Sequence, residues 1–66
     1  VTIELKPNYN IEEIKDLLNK EGPTSIRLII NNDSKKIFYN LENPRKFDFN
    51  HLKTLKSKEY VKKITV

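Results

Sequence analysis

The sequence predicts one small α+β domain with the element order β-α-β-β-α-β. Three observations carry this prediction. Residues 1–6 alternate apolar and polar side chains, as a half-covered strand does. A capped segment with helical periodicity begins at Asn10. Two further alternating segments, residues 25–32 and 35–41, flank a turn rich in Asn and Asp. A chain of 66 residues has room for a single domain with one apolar layer.

The first helix is the most strongly marked element. Asn10 is a favourable N-cap, and Glu13 stands three residues later, the spacing of a capping box. The apolar stripe of this helix comprises Ile11, Ile14, Leu17 and Leu18. Gly22 is the only glycine and follows the stripe, so we expect it to end the helix with a left-handed conformation.

A hairpin, a second helix and a last strand follow. Residues 31–34, Asn-Asn-Asp-Ser, predict the turn between the second and third strands. Asp48 or Asn50 is expected to cap a second helix that runs to about Lys58, with Phe47 and Phe49 packed beneath it. Residues 60–66 predict the last strand, whose Ile64 and Val66 share a face.

This order of elements predicts the ferredoxin-like two-layer sandwich. In that fold a four-stranded antiparallel sheet has the spatial order 4-1-3-2, both helices cover one face, and the third strand is central. The predicted helix-covered face holds Val1, Ile3, Leu5, Ile26, Leu28, Ile30, Ile37, Tyr39, Leu41, Ile64 and Val66. The predicted uncovered face holds Thr2, Glu4, Lys6, Arg27, Ile29, Lys36, Phe38, Asn40, Lys63 and Thr65.

The sequence contains no set of residues that would support a catalytic site. There is no cysteine, His51 is the only histidine, and no glycine-rich loop is present to hold a phosphate. We therefore predict no catalytic, cofactor-binding or metal-binding residues. No segment has the pattern of a signal peptide or the length of an apolar membrane span, so a cytoplasmic protein without a membrane partner is expected.

The charge is unevenly distributed along the chain. Residues 1–33 carry four basic and six acidic side chains, whereas residues 34–66 carry nine basic and three acidic ones. The second half therefore has a net charge of +6 (9 − 3), which favours acidic partners. A small basic nucleic-acid-binding domain is the alternative interpretation. Because aromatics on the uncovered face are limited to Phe38, we expect at most weak, non-specific contact with nucleic acid.

The uncovered face offers a candidate site for a protein partner. Ile29 and Phe38 are apolar at positions that no helix is expected to cover. Arg27, Lys36 and Asn40 surround them, and an apolar centre with a polar rim is the usual anatomy of an interface. With the third strand central, Phe38 is expected at mid-sheet, where it would anchor either a separate protein or a neighbouring domain.

Three stretches carry a resemblance to a known family: SIRLIINNDSKKIFYNL, the basic-aromatic joint Arg45-Lys46-Phe47, and HLKTLKSKEYVKKITV. Together they resemble the C-terminal domain of the bacterial DNA polymerase III alpha subunit in its alphaproteobacterial form. The resemblance implies that residues 1–66 are a non-catalytic module of a larger DNA-directed DNA polymerase, whose catalytic aspartates lie upstream. It also implies contact with the tau subunit of the clamp loader or with the upstream polymerase domains.

Overall fold

The structure, a computed structural model, describes all 66 residues and contains five strands and two helices. The elements are β1 (Thr2–Leu5), α1 (Ile11–Leu17), β2 (Glu21–Thr24), β3 (Arg27–Asn32), β4 (Lys35–Asn40), α2 (Phe49–Lys56) and β5 (Val61–Thr65). Four strands form one mixed sheet in the order β4-β3-β1-β5. The predicted α+β class, with two helices and a four-stranded sheet, is therefore confirmed. The short β2 lies outside the sheet and bridges to Arg45.

The strand order differs from the prediction. β1 pairs with β3 in parallel, while the β1–β5 and β3–β4 pairs are antiparallel. Numbered along the chain, the four sheet strands lie in the order 4-1-2-3 instead of 4-1-3-2, and the sheet is not all antiparallel. β1 and β3 have fully or almost fully buried side chains at alternate positions, which suits central strands. β4 is exposed at all six residues and lies at the edge.

The core lies on one face of the sheet, and both helices contribute to it. The buried side chains are Ile3, Leu5, Ile14, Leu18, Ile26, Leu28, Ile30, Leu41, Leu55 and Tyr60. Ile37 and Tyr39 lie on this face, opposite Ile30 and Leu28, but they are 47% and 41% exposed. The sequence predicted that the helices would cover both side chains. They stay accessible because β4 lies at the edge of the sheet, where the helices cover it only in part. Val66, assigned to the same face, is exposed as well.

Helix α1 begins as predicted but ends differently. The Glu13 N–H donates to Asn10 Oδ1 at 3.1 Å, which confirms Asn10 as the N-cap. The helix ends at Leu17, and Gly22 lies in β2 without a positive φ, so its predicted role as a helix terminator is wrong. A Cβ atom at Gly22 would lie 2.5 Å from the Lys46 backbone. Glycine is required here because two backbone segments approach closely.

Arg45 ties these two backbone segments to the end of α1. Its Nη1 donates to the Leu18 carbonyl at 2.7 Å, and its Nε donates to the Asn43 carbonyl at 3.0 Å. The first contact satisfies a carbonyl at the helix C-terminus, where a positive charge is also favourable. Within the basic-aromatic joint, Arg45 therefore has a structural role.

Helix α2 begins with a reciprocal cap. Asp48 Oδ1 accepts the His51 N–H at 3.0 Å, and His51 Nδ1 accepts the Asp48 N–H at 3.2 Å. Of the two predicted caps, Asp48 is thus the one used, and the helix ends at Lys56. Phe47 packs against the core as expected, but Phe49 is 70% exposed and the expectation that it lies beneath the helix is wrong.

The hairpin turn is shorter than predicted. Asn31 and Asn32 extend β3, and only Asp33 and Ser34 form the turn. Asp33 adopts a positive φ of 56°, which aspartate tolerates better than most residues.

Candidate functional site

The five residues predicted as a partner site lie together on the uncovered face of β3 and β4. Ile29 lies directly opposite Phe38, and Arg27 lies directly opposite Asn40. Lys36 follows on the same face, two positions from Phe38 along β4. We call Arg27, Ile29, Lys36, Phe38 and Asn40 the open-face patch.

The centre of the open-face patch is apolar and accessible. The Phe38 side chain is 63% exposed, and Ile29 beside it is half-buried. Phe38 lies on the edge strand, so the expectation of a mid-sheet position is wrong. A partner can therefore reach this aromatic ring both from the face of the sheet and from its edge.

The rim of the patch carries positive charges without ion-pair partners. Arg27 and Lys36 are exposed, and neither makes an ion pair within 4.0 Å. Asn40, opposite Arg27, adds a polar side chain. Arg27 and Asn40 also line a pocket of about 370 Å³ at this end of the sheet, together with Val1 and Thr2. The patch is thus suited to a partner with an apolar centre and acidic flanks.

A fixed polar group bounds the patch on the β1 side. Glu4 lies opposite Ile29, and its Oε2 accepts a hydrogen bond from Asn31 Nδ2 at 2.8 Å. Asn31 also donates to the Leu5 carbonyl at 3.2 Å, and Lys62 Nζ lies 3.5 Å from Glu4 Oε2. The Asn31 hydrogen bond, aided by Lys62, lowers the pKa of Glu4 below its ordinary value of 4.5. Sequence reasoning missed Asn31 because it was assigned to the turn, although it continues the alternation of Arg27 and Ile29.

Two further clusters of titratable side chains make hydrogen bonds within the fold. His51 is engaged in the α2 cap, where its backbone N–H lowers the pKa of Asp48. Glu13 accepts a hydrogen bond from the Tyr60 hydroxyl, which lowers the pKa of Glu13. Burial, then this hydrogen bond, raises the pKa of Tyr60. No three His, Asp or Glu side chains converge as a metal site would require.

Neither helix is long and apolar enough to cross a membrane. No protein-family model, curated protein or solved structure matches the chain.

Proposed function

We propose that this domain is a non-catalytic interaction module that binds a protein through the open-face patch. The observation that supports the proposal is the 63% exposure of Phe38 beside Ile29 on a sheet face that no helix covers. An aromatic side chain at the centre of a patch is a frequent binding anchor. The unpaired charges of Arg27 and Lys36 add a rim that selects acidic surfaces.

The parent protein proposed from the sequence is the alpha subunit of DNA polymerase III. The partner is then the clamp-loader tau subunit or the upstream polymerase domains, in the cytoplasm. The support is the resemblance of the three stretches given above. Apart from the short β2, which lies outside the sheet, the elements follow the order β-α-β-β-α-β, which supports a relation to the ferredoxin-like sandwich, although the strand order in the sheet differs.

The Phe38→Ala substitution tests the binding role. We expect it to weaken binding of the chain to immobilised tau subunit by about tenfold or more, which corresponds to ~1.4 kcal/mol. Phe49→Ala is a matched control because Phe49 is also strongly exposed but lies on α2, outside the patch. Its binding should equal that of the wild type.

Thermal unfolding of the full-length parent chain separates the two proposed partners. Lower tau binding with an unchanged melting temperature supports docking of a separate protein. A lower melting temperature with unchanged tau binding indicates that a neighbouring domain covers Phe38. If Phe38→Ala changes neither quantity, the binding role of the patch is refuted.

Nucleic-acid binding is the second candidate function. The observation in its favour is that Phe38 offers an exposed ring for base stacking between Arg27 and Lys36. Contacts that act through phosphate neutralisation weaken steeply with salt. We expect single-stranded DNA and RNA to bind weakly at low salt and to dissociate near 150 mM salt. Sub-micromolar affinity at 150 mM salt would favour this function over protein binding.

The proposal also includes the absence of enzymatic activity in the isolated domain. Incubation with primed DNA, nucleotides and Mg²⁺, and separately with an acyl phosphate, should give no turnover above buffer. Activity that co-purifies with the domain through a second column would contradict this.

A further inference from the structure

The outer edge of β4 is a second surface without a partner. β4 ends the sheet and pairs only with β3. All six of its residues are exposed, although Ile37, Phe38 and Tyr39 form an apolar run. An open edge of this kind is a template for another strand.

The hydrogen-bond pattern shows which backbone groups are free at this edge. The Leu41 N–H donates to the Ile26 carbonyl at 3.1 Å, so this pair belongs to the hydrogen-bonded class. Such pairs alternate along an antiparallel ladder. Hence Lys35, Ile37 and Tyr39 direct their backbone groups toward β3, whereas Lys36, Phe38 and Asn40 direct theirs outward. Three residues with one N–H and one C=O each leave six free groups.

We propose that a second copy of this chain pairs with β4 antiparallel, about a two-fold axis at Phe38. The two four-stranded sheets then become one continuous sheet of eight strands. Phe38 faces Phe38 of the other copy, and Lys36 faces Asn40 at either side. All six free backbone groups of each strand are used. This self-association goes beyond the proposed function and does not depend on it, since it needs no other protein.

Side chains and charges fit this register. Residues directly opposite each other lie on one face, so the two Phe38 rings meet on the open face and Ile37 meets Tyr39 on the other. No lysine lies opposite a lysine. A shift of two residues leaves either Lys36 or Asn40 without a partner within the strand, because β4 ends at Lys35 and Asn40. The register at Phe38 is therefore the most complementary one.

There is room for the second copy on the helix side of the sheet. One cation–π contact joins α1 to β4: Lys15 Nζ lies 5.7 Å from the centre of the Tyr39 ring. Ile37 and Tyr39 remain 47% and 41% exposed beneath it. α1 thus does not cover the strand that the second copy would join.

Sedimentation equilibrium of the isolated chain tests the association. We expect an equilibrium between monomer and dimer that shifts toward the dimer as the protein concentration is raised. Lys36→Pro removes a backbone N–H that points away from β3 and makes no hydrogen bond to it. Because both copies carry the substitution, the dimer loses two intermolecular hydrogen bonds. The substitution should weaken dimerisation on the order of tenfold or more. Lys36→Ala is the matched control, since it removes the same charge but keeps the N–H. A wild-type chain that stays monomeric at 1 mM, or a Lys36→Pro dimer as tight as that of Lys36→Ala, refutes the proposal.

Disulfide cross-linking of single-cysteine variants tests the register of the β4–β4 pairing independently of the proline substitution. The chain has no cysteine of its own, so each introduced thiol is unique. Phe38→Cys should oxidise to a disulfide-linked dimer, because directly opposite Cα atoms lie about 5.5 Å apart. Lys36→Cys and Asn40→Cys should cross-link when mixed but not when alone. Cross-linking of Ile37→Cys or Tyr39→Cys alone, in place of Phe38→Cys, would overturn the register. Circular dichroism of each variant confirms that it is folded.

Discussion

The Tyr60 hydroxyl donates a hydrogen bond of 2.5 Å to Glu13 Oε1, which joins α1 to the segment just before β5. Glu13 also lies 3.4 Å from Lys58 Nζ. The carboxylate that was expected to complete the α1 capping box is thus used for a contact 47 residues away. This contact joins the first helix to the segment that leads into the last strand.

Tyr60→Phe should lower the free energy of unfolding by about 1 kcal/mol, because it removes this hydrogen bond and keeps the buried ring. Tyr9→Phe is the matched control, since Tyr9 is exposed and its hydroxyl makes no hydrogen bond to the protein. Urea unfolding measures both. Equal stability of the two variants would show that the Tyr60–Glu13 contact contributes nothing.

Asp48→Ala should cost about 1 kcal/mol of stability, because the His51 backbone N–H loses its side-chain acceptor at the N-cap of α2. Asp16→Ala removes an exposed carboxylate from within α1 and should be neutral or slightly stabilising. Helicity at 222 nm and urea midpoints compare the pair. A cost for Asp16→Ala equal to that of Asp48→Ala would contradict the cap.

Gly22→Ala should destabilise the domain by about 1–3 kcal/mol, because the new methyl group would overlap the Lys46 backbone. Ser25→Ala, at a nearby exposed position, should change the free energy of unfolding by less than ~0.5 kcal/mol. Thermal unfolding by circular dichroism gives both values. A Gly22→Ala protein as stable as the wild type would show that β2 and the Arg45–Lys46 segment separate freely.

Acidification should destabilise the domain partly through Glu4. The Asn31 hydrogen bond lowers the pKa of Glu4 in the folded chain, whereas the unfolded chain titrates near 4.5. The unfolded state therefore binds more protons below pH 4.5, and the stability from Glu4 is lost as the pH falls through the folded pKa. Glu4→Gln should flatten the fall in melting temperature as the pH is lowered below 4.5. Glu12→Gln, at an exposed residue outside any ion pair, should leave the slope unchanged.

Local chemistry was readable from the sequence, while distant pairing was not. The Asn10 and Asp48 caps depend on side chains within three residues of the cap, and the faces of β3 and β4 follow from strict alternation. The order of the strands in the sheet depends instead on which strands are apolar enough to lie at its centre. The prediction placed β4 at the centre of the sheet, whereas it lies at the edge. The need for Gly22 arises from the approach of Lys46, 24 residues later, which no local pattern records.

The central position of β1 has a kinetic consequence. Thr2 pairs with Arg27 on one side and with Thr65 on the other, so one of its neighbours is 25 residues away and the other 63. The β3–β4 hairpin needs only a two-residue turn and can close early, whereas contacts of long sequence separation form slowly. Within residues 1–66, β1 is synthesised before β5 and can pair with it only after β5 has been made. Until β5 has left the ribosome, β1 has an unpaired edge that chaperones or other nascent chains can reach.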